Sequence, residues 1–189
     1  MSIPRHLRHL LTLAGLVFFA GQALCHESSA PAPSLRFTVK QLTERVFVVH
    51  GPQAFPNPIT RGFMNNPGFV VTGEGVVVID PGSSVQIGDK VLESIRRVTD
   101  KPVVAVFNTH VHGDHWLGNH AMIDENPGVA IYGHPKMLQA IEAGAGEEWI
   151  DRMLRATDGA TAGTAVKGPR LAVDDGDVVE HGGLTFVMH

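Results

Sequence analysis

Four potential metal ligands lie within six consecutive positions of this chain. They are His110, His112, Asp114 and His115, in the run His-Val-His-Gly-Asp-His. The segment before them, 102–107, is apolar and rich in valine, which predicts a buried strand that ends at the cluster. In α/β proteins, ligands are usually bound at the carboxyl ends of strands. The cluster therefore indicates a metal site at a strand end.

The spacing of the four side chains gives the chemical reason for this prediction. In an extended segment, His110 and His112 point to the same side, so both imidazoles can reach one ion. Gly113 permits a sharp change of direction, after which Asp114 and His115 can reach a second ion or the far side of the first. Imidazole and carboxylate together suit Zn²⁺, and also Fe or Mn.

This four-ligand motif resembles the signature of the metallo-β-lactamase superfamily of zinc hydrolases. A second segment, 76–82, is an apolar run that ends in Asp80-Pro-Gly, and it is similar to the strand that precedes the family's first crossover helix. The resemblance implies an α/β fold, the metallo-β-lactamase αββα sandwich. This chain would contain the first half of that sandwich and the opening strands of the second half.

The resemblance also implies a role for each site residue. His110 and His112 would hold one zinc ion, and Asp114 with His115 would hold a second; a single iron ion is the alternative. Asp114 would also orient the attacking hydroxide. Asp80 would lie beside the metals and hold a ligand histidine or a water in place. The alternative for Asp80 is a structural one, because Asp before Pro-Gly commonly begins a turn.

The family's later ligands are expected beyond His189. Each half of the family's sandwich contributes ligands, and catalytic zinc normally has three protein ligands, whereas two are expected here for each ion. We therefore expect a C-terminally incomplete domain that binds zinc weakly. We also expect it to expose a sheet face that a second half would bury.

The first residues, 1–25, have the pattern of a secretory signal peptide. Arg5 and Arg8 precede an apolar run, 10–20, that is too short to span a bilayer comfortably. Cleavage is expected near Cys25, and a periplasmic or secreted location follows, with no stable membrane insertion after cleavage. A lipoprotein signal at the same cysteine is the less favoured alternative, because a leucine precedes it where a small residue is expected.

The remaining chain is predicted as a mobile linker rich in Ser, Ala and Pro over 26–34 and one domain over 35–189. Cys25 is the only cysteine, so the mature chain has neither a disulfide nor a thiolate ligand. The net charge of −4 and the absence of a Lys/Arg cluster argue against a nucleic-acid partner. A small-molecule substrate is expected, and the oligomeric state is left open.

Hydrophobic periodicity predicts alternating strands and helices around the motif. A loop over 51–67 separates two strands, and its Phe55 and Phe63 are expected either to form an apolar flap beside the metals or to pack onto the domain. His134 is interpreted as structural and His181 as exposed. A first strand is predicted at 35–50, with 46–49 as its core-facing part. Further strands are predicted at 69–72, 76–80, 102–107, 129–132, 170–173, 178–179 and 184–187, and helices at 86–98, 119–123, 135–143 and 147–156.

The predicted function is metal-assisted hydrolysis of a carbonyl substrate by an exported enzyme: a β-lactam, a thioester, or a related ester or amide. A weaker resemblance is to exported metallohydrolases found beside quinoprotein or sulfur-oxidation systems. Two alternatives stay open, a periplasmic metal-binding module without turnover and a mononuclear-iron enzyme similar to persulfide dioxygenases. An amidohydrolase barrel shares the His-x-His pair, but the Asp114-His115 continuation counts against it.

Overall fold

A computed structural model describes residues 35–189. The predicted signal peptide over 1–25, the linker over 26–34 and Cys25 lie outside the described residues. Among residues 35–189, no helix has the length and apolar character needed to cross a bilayer.

Seven strands form one sheet, and they lie side by side in chain order. The first four are joined as antiparallel neighbours, and the last four pair in parallel through crossover connections. Two further strands form a separate antiparallel hairpin. The strands of the sheet are β1 (Thr38–Gln41), β2 (Val46–His50), β3 (Gly68–Val71), β4 (Val76–Ile79), β5 (Val103–Phe107), β6 (Ala130–Gly133) and β7 (Leu171–Ala172); those of the hairpin are β8 (Val178–His181) and β9 (Leu184–Val187).

Four of the helices correspond to predicted ones, with differences at their ends, and the short helix α2 was not predicted. They are α1 (Val85–Arg96), α2 (Gly113–Trp116), α3 (Asn119–Glu125), α4 (Pro135–Ala140) and α5 (Gly146–Ala156). The helix predicted over 135–143 ends early, because a π-helical turn, Ile141–Ala145, follows α4. Within this turn Gly144 has φ 105°, a conformation that glycine adopts without a steric penalty.

Helix α1 shows why the sequence folds as it does in this region. Ser84 caps the helix, since its side chain accepts a hydrogen bond from the backbone N–H of Ile87. The apolar residues Ile87, Val91 and Ile95 recur at helical spacing, and all three are buried. The helix therefore packs its apolar face on the sheet and returns the chain for the parallel strand β5.

The two faces of the sheet are covered by different elements. Alternate residues of β4 divide between them: Val76 and Val78 join the core with α1, whereas Val77 joins a cluster with the β8–β9 hairpin. Ala105 and Phe107 of β5 belong to the same hairpin cluster. The prediction of an exposed sheet face is therefore wrong for these positions, because the hairpin packs on them; Val77 and Ala105 are fully buried.

The burial of three other side chains can be compared with the predictions. His181 was predicted to be exposed, but it is half-buried between Tyr132 and Phe186, and its Nε2 atom is buried without a hydrogen-bond partner among the described residues. Phe63 is fully buried and belongs to the core, which favours the packing interpretation for this residue. Phe55, by contrast, is 86% exposed.

Candidate metal centre

Strands β4 and β5 bring the two sequence motifs together. They pair in parallel with Ile79 opposite Phe107, so the residues after each strand meet at one edge of the sheet. The backbone N–H of Asp80 donates to the carbonyl of Phe107 at 3.0 Å and extends this pairing by one residue. The carboxylate of Asp80 is thereby placed beside the first residues of the histidine cluster.

Asp80 is the centre of a buried hydrogen-bond network. Its Oδ1 accepts from the backbone N–H of Thr109 at 2.9 Å. Its Oδ2 accepts from the Thr109 hydroxyl at 2.6 Å and lies 2.8 Å from Nδ1 of His115. Asp80 has φ 53°, a conformation that is uncommon for a residue with a side chain, and its carbonyl accepts from the Asn65 side chain at 3.0 Å. Both carboxylate oxygens are thus already engaged.

Thr109 connects Asp80 to a second histidine. Its Oγ1 lies 2.9 Å from Nδ1 of His110. Because the single hydroxyl proton is donated to Asp80, Oγ1 accepts the Nδ1 proton of His110. Asp80 therefore holds His115 directly and His110 through Thr109, which leaves the Nε2 atoms of both rings for a metal.

The four predicted ligands lie close together at this edge of the sheet. The ring centroid of His110 is 4.7 Å from that of His112 and 4.2 Å from that of His115. The Oδ2 atom of Asp114 is 3.1 Å from Nε2 of His115. Two atoms that bind one tetrahedral ion at about 2.0 Å each lie about 3.3 Å apart, so this donor pair fits a zinc ion.

A second grouping of donors includes Asp80 as a possible ligand. One donor atom from each of Asp80, His110 and His115 lies within 4.8 Å of the others. Since both oxygens of Asp80 already accept hydrogen bonds, the geometry favours a positioning role for this carboxylate. The assignment of the three histidines and Asp114 as the ligands stays a prediction from the sequence, since the donor group found within 4.8 Å contains only His110 and His115 of these four residues.

Electrostatics distinguish the histidines of the cluster. Burial lowers the pKa of His110, and the neighbouring His115 and His112 lower it further. Burial alone would also lower the pKa of His115, but its hydrogen bonds with Asp114 and Asp80 raise it to about 9. Burial raises the pKa of Asp114, but the hydrogen bond and charge of His115 outweigh this effect and the net shift is downward. In the metal-free site, His115 is therefore a cation between two carboxylates.

Side chains of helices α2 and α5 pack against the segment that carries the histidine cluster. Trp116 is fully buried, and its indole N–H donates to the carbonyl of Val111 at 2.8 Å. A Cβ atom at Gly113 would lie 2.7 Å from Cβ of Trp149, which explains why the turn into α2 needs glycine. The Trp149 ring lies against His112, with centroids 5.2 Å apart.

Two buried amides fix the segment that leads into the motif. Asn108 and Asn119 donate to each other's side-chain oxygens at 3.1 and 2.8 Å. Asn119 also donates to the carbonyl of Lys167 at 3.0 Å. This pair ties the end of β5 to the start of α3, so the cluster is bounded by fixed backbone on both sides.

Other histidines lie apart from this donor set. His134 caps α4, since its Nδ1 accepts from the N–H of Lys136 at 3.0 Å, and its Nε2 is 3.2 Å from Asp174. This agrees with its structural interpretation. His189 lines a cavity of about 520 Å³ together with Thr109 and His134.

Neither Thr109 nor Trp149 was predicted to be part of the site. The adjacency of Thr109 to His110 is a local signal that a hydroxyl could reach the imidazole. The contact between Trp149 and His112 spans 37 positions, and no local pattern indicates it.

The sequence model of the Metallo-beta-lactamase superfamily matches residues 60–189. The chain belongs to this superfamily. The match includes Asp80, the whole histidine cluster and all elements from β3 onward. The superfamily is metal-dependent, and the α/β fold predicted from the sequence is confirmed. Membership also excludes the amidohydrolase barrel.

Curated relatives within the superfamily match over shorter segments. A linear primary-alkylsulfatase from Pseudomonas sp. (strain ATCC 19151) is 36% identical over 72 residues, which cover 36% of this chain and 14% of that protein. A hydroxyacylglutathione hydrolase from Gloeobacter violaceus is 42% identical over 55 residues, which cover 29% of this chain and 20% of that protein. The chain thus spans less than a quarter of the length of either relative.

Solved structures of the superfamily share the fold. A β-lactamase from Chitinophaga pinensis has a TM-score of 0.59 at 13% identity, and the match covers 87% of this chain and 56% of that one. At this identity the likeness concerns the fold alone. The matched residues therefore form a metallo-β-lactamase α/β architecture over a little more than half of that structure's length.

Proposed function

We propose that this protein is an exported zinc-dependent hydrolase. The observation that carries the proposal is the convergence of four donors at the end of β5, with Asp80 orienting two of them. His110 and His112 would hold one Zn²⁺, and Asp114 with His115 would hold a second. The ligand atoms of these four residues are nitrogen and oxygen, and zinc binds both.

Each residue of the site would have its own role in hydrolysis. Asp80 keeps the Nδ1 proton on His115 and, through Thr109, on His110, so that both rings present Nε2 as a lone-pair donor. When bound, Zn²⁺ supplies a Lewis acid and lowers the pKa of a water molecule toward neutrality. Asp114, beside His115, is placed to accept a hydrogen bond from the attacking water and to orient it. No side-chain nucleophile is required.

The proposed substrates are small molecules with a hydrolysable carbonyl: a β-lactam, a thioester, or a related ester or amide. The relative named hydroxyacylglutathione hydrolase supports the thioester. The relative named linear primary-alkylsulfatase favours a second candidate, hydrolysis of an alkyl sulfate. The net charge of −4 supports a small-molecule substrate over a nucleic acid.

A periplasmic or secreted location is also proposed. It is supported by the sequence over 1–25, in which two arginines precede a short apolar run. Expression of the full chain in a bacterial host, followed by fractionation and N-terminal sequencing, tests it. Recovery of the uncleaved chain in the cytoplasm would contradict export.

Zinc stoichiometry and turnover test the hydrolase proposal directly. The purified protein is equilibrated with a buffered excess of free zinc, analysed for bound metal at that zinc concentration, and assayed with a chromogenic cephalosporin, a glutathione thioester, a nitrophenyl ester and an alkyl sulfate. The matched control carries His110→Ala and His112→Ala. We expect one or two zinc ions per chain and hydrolysis of at least one substrate, both lost in the control.

The alternatives give different results in the same experiment. Tight zinc binding without any turnover would favour a metal-binding module. A preference for a single iron ion, with oxygen consumption in the presence of a persulfide, would favour the dioxygenase-like enzyme. Neither result is expected if zinc hydrolysis is the function.

A further inference from the structure

Helix α5 places a cation at the rim of the histidine cluster. Trp149 and Arg152 are three positions apart on this helix and therefore lie on one face. The guanidinium carbon of Arg152 is 4.5 Å from the centroid of the Trp149 ring. The same ring lies against His112, at a centroid distance of 5.2 Å. Arg152 is thus separated from a predicted metal ligand by a single aromatic side chain.

The approach of α5 to the motif is fixed by close packing. Gly113 of the motif allows Trp149 to lie directly on the turn, where a Cβ would approach the tryptophan Cβ to 2.7 Å. One turn later on the same face of α5, Met153 is buried in a cluster with Trp116 and Leu117, against which Trp149 also packs. The position of the Trp149 ring is therefore set by the core, and Arg152 stacks on this fixed ring.

The charges on α5 show that Arg152 has no acidic partner of its own. Arg155, one turn later, is bonded to Asp151. Within residues 35–189, Arg152 makes no salt bridge, and its side chain is exposed. A guanidinium stacked on a ring keeps its N–H groups free at its edge, where they can bind a carboxylate or a sulfate in a bidentate manner.

We propose that Arg152 binds an anionic group of the substrate, so that this site prefers small molecules carrying a carboxylate or a sulfate near the bond that is hydrolysed. The inference rests on the proposed hydrolase function and specifies its substrate class. Trp149 acts as the platform that holds the guanidinium at the edge of the site, with the indole ring between Arg152 and His112. Arg152 is accordingly a specificity-determining residue, and the proton and bond-breaking steps do not involve it.

Two esters that differ only in charge test this proposal. The zinc-loaded full chain is assayed with p-nitrophenyl pentanoate, which is neutral, and with the mono-p-nitrophenyl ester of glutaric acid, whose acyl chain has the same length but ends in a carboxylate. We expect the wild type to prefer the anionic ester in kcat/KM. In Arg152→Gln this preference should fall by about tenfold through a higher KM for the anionic ester, with the neutral ester unaffected.

Arg155→Gln is the matched control, because Arg155 lies on the same exposed helix but is bonded to Asp151. It should keep the preference, and Arg152→Lys should keep part of it, since lysine retains the charge but not the planar fork. Equal losses for both esters in Arg152→Gln, or a wild type without any preference, would overturn the proposal.

A titration without turnover separates this inference from the hydrolase function. Metal-free protein is titrated with glutarate, and the fluorescence of Trp149 is followed; Trp116, the other tryptophan, is fully buried. A saturable change that is lost in Arg152→Gln and kept in Arg155→Gln supports the anion site. If neither ester is hydrolysed, the hydrolase proposal fails for these esters, and a titration that is unchanged in Arg152→Gln would overturn the anion site as well.

Discussion

The Oδ2 atom of Asp80 lies 2.8 Å from Nδ1 of His115, although 35 positions separate the two residues. Parallel pairing of β4 with β5 brings them together, because each strand ends at the same edge of the sheet. The contact fixes which nitrogen of His115 carries a proton and therefore which one is offered to a metal.

Replacement of Asp80 by Asn should weaken zinc binding by about 10–100-fold, because the amide cannot accept hydrogen bonds at both positions as the carboxylate does. Asn tolerates the φ of 53° at this position, so the fold should be retained. Competition with a chromophoric chelator measures the affinity, and circular dichroism checks the fold. Unchanged affinity in a folded Asp80→Asn variant would rule out the positioning role.

Replacement of Thr109 by Val should weaken zinc binding by about tenfold, since valine keeps the shape but removes the hydroxyl between Asp80 and His110. Thr109→Ser is the matched control, because it restores the hydroxyl and should bind zinc nearly as the wild type does. The same chelator competition measures both variants. Equal affinities for Val and Ser would show that the hydroxyl does not orient His110.

Replacement of Gly88 by Ala should lower the free energy of unfolding by about 1–3 kcal/mol. A Cβ at this position would lie 2.6 Å from the carbonyl oxygen of Gly118 and 2.7 Å from Cβ of Ala121, so α1 and α3 would have to separate. Urea denaturation of the metal-free protein measures the change. Gly128→Ala is the control: its Cβ would meet only the Asn126 side chain, at 3.4 Å, and its stability should be nearly unchanged.

The stability of the metal-free protein should depend on pH through His115. Its pKa is raised to about 9 in the folded chain, against an ordinary value of 6.5. Protonated His115 therefore stabilises the folded state. This stabilisation is fully present below pH 6.5 and is lost as the pH rises through 9. The contribution, at most about 3 kcal/mol, is the part of the difference in unfolding free energy between wild type and His115→Gln that varies with pH.

That difference should shrink between pH 6.5 and 9, as measured by urea denaturation at several pH values. Zinc affinity should rise over the same interval, because a metal binds the neutral imidazole and displaces its proton. A difference that stays constant with pH would show that His115 is not a cation between Asp80 and Asp114.

The sequence by itself determined that three histidines and an aspartate are clustered at the end of a strand. His110, His112, Asp114 and His115 are close along the chain, so their proximity in space required only a strand followed by a turn. The spacing of apolar residues over 76–80 and 86–98 likewise predicted β4 and α1. In strands and amphipathic helices the buried positions recur at a fixed interval, which can be seen in the local sequence.

Only the tertiary structure decided the features that depend on distant residues. Pairing between β4 and β5 showed that Asp80 holds two histidines, and the packing of α5 placed Trp149 against His112. Packing of the β8–β9 hairpin buried a sheet face that was predicted to be open, and left His181 half-buried. Such contacts join residues far apart in the chain, and their geometry is set by register and packing, which no local pattern contains.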